Sequence, residues 1–386
     1  MDEPDARNDP WVPLACAAVT LFVALVPVLG ALRVFGGHPS GMVRMAADEP
    51  MARLATEADA EFRFVDPGAH YDGVYFYAIA LDPLARGEAH TLIDRSAYRY
   101  GHAGYGWVAG LVSFGRASAV PFALLLVGLV SLCVAAGALS LLSVRLGWTP
   151  WAGLVVAFHP GLLYALTALT SETLGAALLV VSLLLWARER HAAAAATLVA
   201  LCLVKEPFVL VPIGLGLWEL RRWWAARDNG IPVSRLALLS LGPLAFAVWY
   251  VYLRAQFGEW PSAATEGFFA FPFTGWWRSI NEASSFAAGD FLTSQIGAAS
   301  APMLAAAAAL LGTGLVVAAR LRHVVDGPYL LLALLTLCLQ PLGVLYPKDM
   351  IREVSMPLLL LPLVIALALR SRHTAGEDTP APTRTD

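Results

Sequence analysis

The sequence predicts an all-α polytopic membrane protein with about ten transmembrane helices. Hydrophobic residues make up 58% of the 386-residue chain and charged residues only 14%, whereas a soluble domain carries about 25% charged residues. The mean hydropathy is +0.64. The apolar residues occur in long runs, and about 20 such residues cross a hydrocarbon core of about 30 Å. These observations exclude a soluble enzyme.

The apolar runs define the predicted topology. We assign ten spans, at 12–32, 118–143, 150–167, 173–187, 192–204, 207–220, 235–254, 300–319, 328–346 and 355–370. Arginine is concentrated in alternate short connectors, such as 188–190 and 221–235, and the positive-inside rule places these connectors in the cytoplasm. Both chain termini then lie in the cytoplasm, and the two long loops, 33–117 and 255–299, lie outside. A single transmembrane domain covers 1–373, and 374–386 is predicted to be a disordered cytoplasmic tail.

The first long loop contains two predicted short juxtamembrane elements. Residues 71–83, with the sequence YDGVYFYAIALDP, form a predicted helix that ends at Asp82, because a residue before proline is driven out of the α region. The apolar segment 102–115 is too short to span and is expected to lie at the outer membrane surface. Loops of this length are usually either functional or disordered, and the many aromatic residues here favour function.

The motifs of this loop carry a resemblance to a known family. The segments YDGVYFYAIALDP (71–83) and IDRSAYRYGHAGYGW (93–107) resemble the first outer loop of the GT-C superfamily of integral-membrane glycosyltransferases. The closest similarity is to bacterial relatives of the GPI-anchor and dolichyl-phosphate-mannose mannosyltransferases. LTSETL (169–174), VKEPF (204–208) and KDMIREVSMP (348–357) agree with it. One departure is that Asp72 lies farther beyond the first span than the key acid of many relatives.

The resemblance implies a reaction and its partners. The chain would move a sugar from a polyprenyl-phosphate donor to an acceptor hydroxyl on the outer face of a bacterial plasma membrane. The acceptor would be a glycan, a lipid or a protein, and transfer would occur with inversion. The resemblance also implies an acid in the first outer loop as the catalytic base, and Asp72 is the first choice. No cofactor is implied with certainty.

Each residue near Asp72 has more than one interpretation. Asp72 itself is also suited to cap the following helix. Asp66 and His70 are explained either by a turn or by a role in holding the acceptor or a divalent cation, so Mg²⁺ or Mn²⁺ remains open. Tyr71, Tyr75 and His102 belong to the same motifs and are further candidate substrate-binding residues.

Cations and one acid outside this segment complete the candidate site. Lys348 and Arg352 share a helical face and suit a lipid-linked phosphate, but the interleaved Asp349 and Glu353 make local ion pairing the simpler alternative. Lys205 has the same two interpretations, because Glu206 follows it. Arg99 is either a phosphate ligand or part of an aromatic belt. Glu172 is either a first-turn acid or a second acid in the same cavity.

Two other functions fit the composition. A membrane transporter or flippase of lipid-linked sugars would place ionisable residues near the middle of the membrane, whereas these spans are nearly free of charge. A non-catalytic scaffold predicts that Asp72, Lys348 and Arg352 lie far apart. The net charge of −3 provides no basic surface for nucleic acid. The four isolated cysteines predict neither a zinc site nor a disulfide framework.

Overall fold

The computed structural model describes residues 9–226, 230–265, 267–285 and 291–377. In these ranges every regular element is a helix, apart from two isolated β-bridges. The helices of the first half are α1 (Val12–Val34), α2 (Ala52–Ala58), α3 (Gly73–Leu81), α4 (Ser96–Tyr100), α5 (Gly104–Val112), α6 (Val120–Arg145), α7 (Leu154–Ala157), α8 (Pro160–Thr167) and α9 (Glu172–Ala187). Those of the second half are α10 (His191–Val204), α11 (Leu210–Ala226), α12 (Val233–Phe257), α13 (Thr274–Ser285), α14 (Phe291–Ala318), α15 (Asp326–Leu337), α16 (Pro341–Val344), α17 (Pro347–Glu353) and α18 (Ser355–Glu377).

Several of these helices suit a membrane. In the described ranges, four segments are long and apolar enough to cross one, within α1, α6, α12 and α14. The number rises to six if each of two bent pairs counts as one span: Pro150–Ala157 with Pro160–Thr167, and Pro347–Glu353 with Ser355–Ser371. The other predicted spans correspond to shorter helices, including α9, α10 and α15. The described residues therefore form an all-helical architecture with four to six candidate membrane spans, which is consistent with a polytopic membrane protein.

Prolines account for the breaks in the helices. The first pair bends by 49°, and His159, before Pro160, has an extended ψ of 107°, as the residue before proline prefers. The single helix predicted over 328–346 is not observed. The helix α15 ends at Leu337, and Gln340, before Pro341, has a ψ of 169°. The chain then forms the short helices α16 and α17 instead of continuing.

The first long loop folds as a packed unit. The helix α3 ends at Leu81, as the Asp82-Pro83 pair predicts. The helix α5 packs closely on it, since a Cβ at Gly110 would lie 2.8 Å from the carbonyl oxygen of Ala80. All the side chains of α3 except that of Leu81 are buried, so the loop is a structured part of the molecule.

The bundle brings the end of the chain next to its first half. The helix α6 packs between α1 and α9, α10 packs against α12, and α11 packs against α15. The helix α17 packs on α8, where a Cβ at Gly161 would lie 2.0 Å from the carbonyl oxygen of Ile351. Glycine permits this backbone approach, which fixes the position of the residues that follow in α17. The predicted disordered tail, 374–386, overlaps α18 up to Glu377, and 378–386 lie outside the described residues.

Candidate functional site

Six described segments of the chain converge on one cavity. They are the first long loop, the start of α9, the connection between α10 and α11, the second long loop, the segment from α15 to α16, and the junction of α17 with α18. The cavity, called here the main cavity, has a volume of about 330 Å³. Its charged lining residues are Asp72, Arg95, Arg99, His102, Glu172, Lys205, Glu206, Asp349, Arg352 and Glu353. Seven of the eleven residues proposed from the sequence therefore line it: Asp72, Tyr75, Arg99, His102, Glu172, Lys205 and Arg352.

Asp72 lies between two arginines. It occupies the position before α3, but its side chain makes no capping hydrogen bond, so the capping interpretation is wrong. Its Oδ2 accepts a hydrogen bond from Nη1 of Arg352, and its Oδ1 lies 3.4 Å from Nη1 of Arg99. Burial raises the pKa of the Asp72 carboxyl, but the two guanidiniums outweigh burial and hold this pKa well below its usual range. Asp72 is therefore held in its ionised form.

Lys205 joins two further carboxylates. Its Nζ lies 3.2 Å from Oε1 of Glu172 and 3.1 Å from Oε1 of Glu353. Glu172 is only 4% exposed, so it faces the cavity rather than solvent. Burial lowers the pKa of the Lys205 ammonium, but Glu353 and Glu172 outweigh burial and hold this pKa above its usual value. Lys205 is therefore held in its charged form.

Arg352 connects these two groups of charges. Besides Asp72, its guanidinium lies 3.7 Å from Glu172 and 3.5 Å from Glu353. The resulting cluster, called here the charged end, consists of three carboxylates and three cations: Asp72, Glu172, Glu353, Arg99, Lys205 and Arg352. Its formal charge is zero. Buried charges that are paired in this way avoid most of the cost of desolvation.

Of the local ion pairs considered from the sequence, Arg352 with Glu353 forms, whereas Lys205 with Glu206 and Lys348 with Asp349 do not. Glu206 lies against His102, with Oε2 and Nε2 2.6 Å apart, instead of against Lys205. Burial raises the pKa of Glu206, but His102 outweighs burial, so this pKa is lower than usual. Asp349, which follows Lys348, accepts a hydrogen bond from Oη of Tyr71 at 2.7 Å. The sequence spacing identified charged residues but not their partners.

Aromatic rings support the charged end. The Arg99 guanidinium stacks on Tyr75, with Cζ 3.5 Å from the ring centroid, and Arg352 lies 5.2 Å from the ring centroid of Tyr71. Cations gain favourable energy over aromatic faces. The rings therefore hold both guanidiniums in position around Asp72.

The main cavity is also lined by apolar side chains. The apolar wall consists of Phe268, Phe269, Leu332, Leu335, Leu339 and Met356. The phenylalanines come from the second long loop, and the leucines come from α15 and the residues after it. The contribution of α15 and the role of Glu353 as a partner of Lys205 were not predicted from the sequence. No periodic signal distinguishes these leucines from the many others in the spans.

Four proposed residues lie outside the main cavity. Asp66 is exposed and precedes a short 3₁₀ turn at Pro67–Ala69. His70 contacts Glu49 and Tyr75, with Nδ1 2.7 Å from Oε1 of Glu49 and Nε2 3.2 Å from Oη of Tyr75. Tyr71 is buried beside Arg352. Lys348 lines a separate cavity with His70 and Arg44.

The carboxylates of the main cavity are engaged by cations. In the described part of the chain, no group of three or more His, Cys, Asp or Glu side chains is placed to hold a metal ion. Asp72, Glu172 and Glu353 each lie against a guanidinium or an ammonium group. The chemistry that this arrangement can perform is recognition of an anionic group by the cations, together with proton transfer to a carboxylate.

Comparisons with known proteins add no relative. No protein-family model matches the chain, and no curated protein matches its sequence. The functional interpretation therefore depends on the residues of the main cavity and on the resemblance of the loop motifs.

Proposed function

We propose that this protein is a GT-C-type membrane glycosyltransferase that takes its sugar from a polyprenyl-phosphate donor. One observation supports this function above the others: the main cavity is lined both by the ion-paired residues of the charged end and by the apolar side chains of the apolar wall. A polyprenyl-phosphate sugar has the same division, because a phosphate and a sugar are joined to a long hydrocarbon chain. The phosphate would lie near Arg99, Lys205 and Arg352, and the first isoprene units would lie along the apolar wall.

The reaction follows from this placement. The acceptor hydroxyl oxygen attacks the anomeric carbon and forms the new glycosidic bond. The bond between that carbon and the phosphate oxygen breaks, and the polyprenyl phosphate leaves with the electron pair. Asp72 takes the proton of the acceptor hydroxyl as general base. The cations stabilise the negative charge that develops on the leaving phosphate. A single displacement inverts the anomeric configuration.

Donor binding would also raise the pKa of Asp72 and make it a stronger base. In the empty cavity Arg352 and Arg99 hold the pKa of Asp72 low, and so weak a base removes protons poorly. A bound phosphate competes with Asp72 for these guanidiniums, because phosphate oxygens accept charge-assisted hydrogen bonds from arginine. The carboxylate then loses part of its stabilisation, and its pKa rises. The base is thereby activated when the donor is present.

The proposal includes a membrane orientation. With the ten-span topology, the charged end faces outside and both termini lie in the cytoplasm. The site would then meet donors in the outer leaflet of a bacterial plasma membrane, and it would act in the assembly of cell-surface glycans or glycolipids. Four to six of these spans correspond to candidate membrane-crossing helices of the structure.

Sugar transfer in membranes tests the proposal. Labelled polyprenyl-phosphate monosaccharides would be supplied to membranes that contain the wild type, Asp72→Asn, Glu172→Gln, Asp66→Asn or no copy of the protein. Asp48→Asn is the matched control, because Asp48 is an exposed acid of the same loop outside the main cavity. We expect transfer with the wild type, Asp66→Asn and Asp48→Asn, and its loss with Asp72→Asn at equal protein levels.

Other results would change the assignment. Transfer that survives in Asp72→Asn and vanishes in Glu172→Gln or Asp66→Asn would keep the reaction and move the base. The absence of transfer with every donor, combined with movement of a lipid-linked sugar across proteoliposomes, would replace the enzyme by a flippase. The absence of both activities would favour a scaffold.

A further inference from the structure

A second cavity lies next to the main one. This side cavity has a volume of about 290 Å³. It is lined by the side chains of Arg44, His70 and Lys348, by Phe35, and by the chain around Gly68. The ring of Tyr71 contacts lining residues of both cavities: its centroid is 5.0 Å from Nζ of Lys348 and 5.2 Å from Cζ of Arg352. The two cavities are therefore neighbours across one side chain.

The cations of the side cavity are not neutralised. Nη1 of Arg44 donates a hydrogen bond to Oη of Tyr164 at 3.1 Å, and its guanidinium lies over the rings of Tyr71 and Tyr164. Lys348 lies over the Tyr71 ring. Within the described ranges, neither Arg44 nor Lys348 has a carboxylate at ion-pairing distance. In the charged end, by contrast, all three cations have carboxylate partners.

Glu49, an acid that contacts the side-cavity residue His70, is already engaged. Oε1 of Glu49 accepts a hydrogen bond from the backbone N–H of Ala46 at 2.6 Å and lies 2.7 Å from Nδ1 of His70. His70 is held in turn by Tyr75. Glu49 is therefore held by His70 and by the backbone of Ala46. Arg44 and Lys348 line one concave site and have no carboxylate at ion-pairing distance within the described ranges.

We propose that Arg44 and Lys348 bind an anionic group, a phosphate or a carboxylate, and that this group belongs to the acceptor. An ammonium and a guanidinium with free donors are a strong combination for such oxygens. The assignment to the acceptor rests on the proposed function: the donor occupies the main cavity, and Asp72 directly follows Tyr71 in the chain. An acceptor anchored in the side cavity would bring its hydroxyl towards that carboxylate. Binding of the anion itself does not depend on the reaction.

The lysine content of the chain allows a direct test. Lys205 and Lys348 are the only lysines in the sequence. Lys348 is exposed, whereas the Lys205 side chain is 16% exposed and paired with two carboxylates. The full chain in phosphatidylcholine nanodiscs would be treated with an amine-acetylating reagent, and acetylation of each lysine would be followed by mass spectrometry. Inorganic phosphate is the probe, and potassium chloride of equal ionic strength is the reference, because surface charges are screened by salt.

We expect phosphate to protect Lys348 specifically. At a phosphate concentration of about ten times the Kd, acetylation of Lys348 falls about tenfold. Arg44→Gln removes one of the two cations, so the protecting concentration rises at least about tenfold. Arg116→Gln is the matched control, because Arg116 is an exposed arginine of the same loop outside both cavities. Absence of protection in the wild type, or equal protection in Arg44→Gln and the wild type, would overturn the site.

Further measurements distinguish the source of the anion and the role of the site. If nanodiscs that contain phosphatidylglycerol protect Lys348 without phosphate, and Arg44→Gln abolishes this effect, the occupant is a lipid headgroup and the acceptor assignment is wrong. In the transfer assay, Lys348→Gln is expected to raise the KM for the acceptor and leave the KM for the donor unchanged. A rise in the donor KM instead would place Lys348 with the donor phosphate. Protection without any transfer would reject the proposed function and keep the anion site.

Discussion

Asp72 and Arg352 are 280 positions apart in the chain and form a direct ion pair in the main cavity. Asp72 belongs to the first long loop, and Arg352 belongs to α17. Their side chains are 26% and 13% exposed, so water screens the pair only in part. This contact joins the proposed catalytic base to the candidate span formed by α17 and α18.

Removal of the arginine should destabilise the protein more than removal of the acid. Arg352→Gln leaves Asp72, Glu172 and Glu353 with two cations, and breaking a buried pair costs about 3 kcal/mol or more. Asp72→Asn leaves Arg352 with two carboxylate partners and should cost less. Thermal unfolding in detergent would compare the variants. The double variant should be less destabilised than the sum of the two single changes, and simple additivity would show that the contact contributes nothing.

The pH dependence of the reaction should report the two states of Asp72. In the free protein the pKa of Asp72 is below the usual 3.8, so its ionised form persists throughout the neutral range and is lost only as the pH falls further. The value of kcat/KM reports the free protein. Protonation of Asp72 should therefore not lower kcat/KM at any pH above 3.8. As the pH is lowered, kcat should begin to fall at a higher pH than kcat/KM does. The reason is that bound phosphate competes with Asp72 for the guanidiniums and so raises the pKa of Asp72.

A variant checks the cause of this difference. Arg99→Gln removes one of the cations that lower the pKa of Asp72, so the acid limb of kcat/KM should move to higher pH. Arg116→Gln should leave the profile unchanged. Coincident limbs for kcat and kcat/KM in the wild type would contradict activation of the base by the donor.

The apolar wall should discriminate between donors by chain length. Phe269→Ala removes an apolar surface that the isoprene units would cover, at a cost of about 1–2 kcal/mol, or roughly a tenfold increase in KM for a long-chain donor. A donor with a short, water-soluble chain should be affected much less. Phe271→Ala is the control, because Phe271 is 82% exposed in the same loop and does not line the main cavity. Equal effects of the two substitutions would argue against the wall as the prenyl site.

The contact between α8 and α17 should not tolerate a side chain. Gly161→Ala places a methyl group against the carbonyl oxygen of Ile351, which must shift α17 and with it Arg352. We expect a loss of about 1–3 kcal/mol in unfolding free energy, together with reduced transfer. Gly30→Ala is the matched control within α1, because no atom lies within 4 Å of its added Cβ. Its thermal stability should be unchanged or slightly higher.

The sequence predicted the general architecture better than the arrangement of the site. Hydropathy and length identified the helices, and Asp82-Pro83 located the end of α3. The break after Leu337 was missed, because an apolar run does not reveal whether a proline interrupts it or only bends it. The number of spans depends on how the short helices α9, α10 and α15 lie in a bilayer, and the ten-span topology stays a prediction.

The partners in the site depend on tertiary packing. Neighbours in the sequence suggested pairing Lys205 with Glu206, but packing places Glu172 and Glu353 against Lys205. The same spacing grouped Lys348 with Arg352, and the structure places them in different cavities on either side of Tyr71. A local sequence pattern shows which residues carry charge, whereas the tertiary structure determines which of them form ion pairs.

The late position of Arg352 and Glu353 has a consequence for biogenesis. A chain is synthesised from its N-terminus, so Asp72, Glu172 and Lys205 all leave the ribosome before the residues that complete their ion pairs. Until α17 and α18 are inserted, these three charged groups lack some of their ion-pair partners, and the site of the nascent protein is incomplete. A chain that stops before residue 347 would contain most of the candidate spans and still be inactive and exposed to quality-control proteases. Under the proposed function, synthesis of α17 is therefore also required before the site is complete.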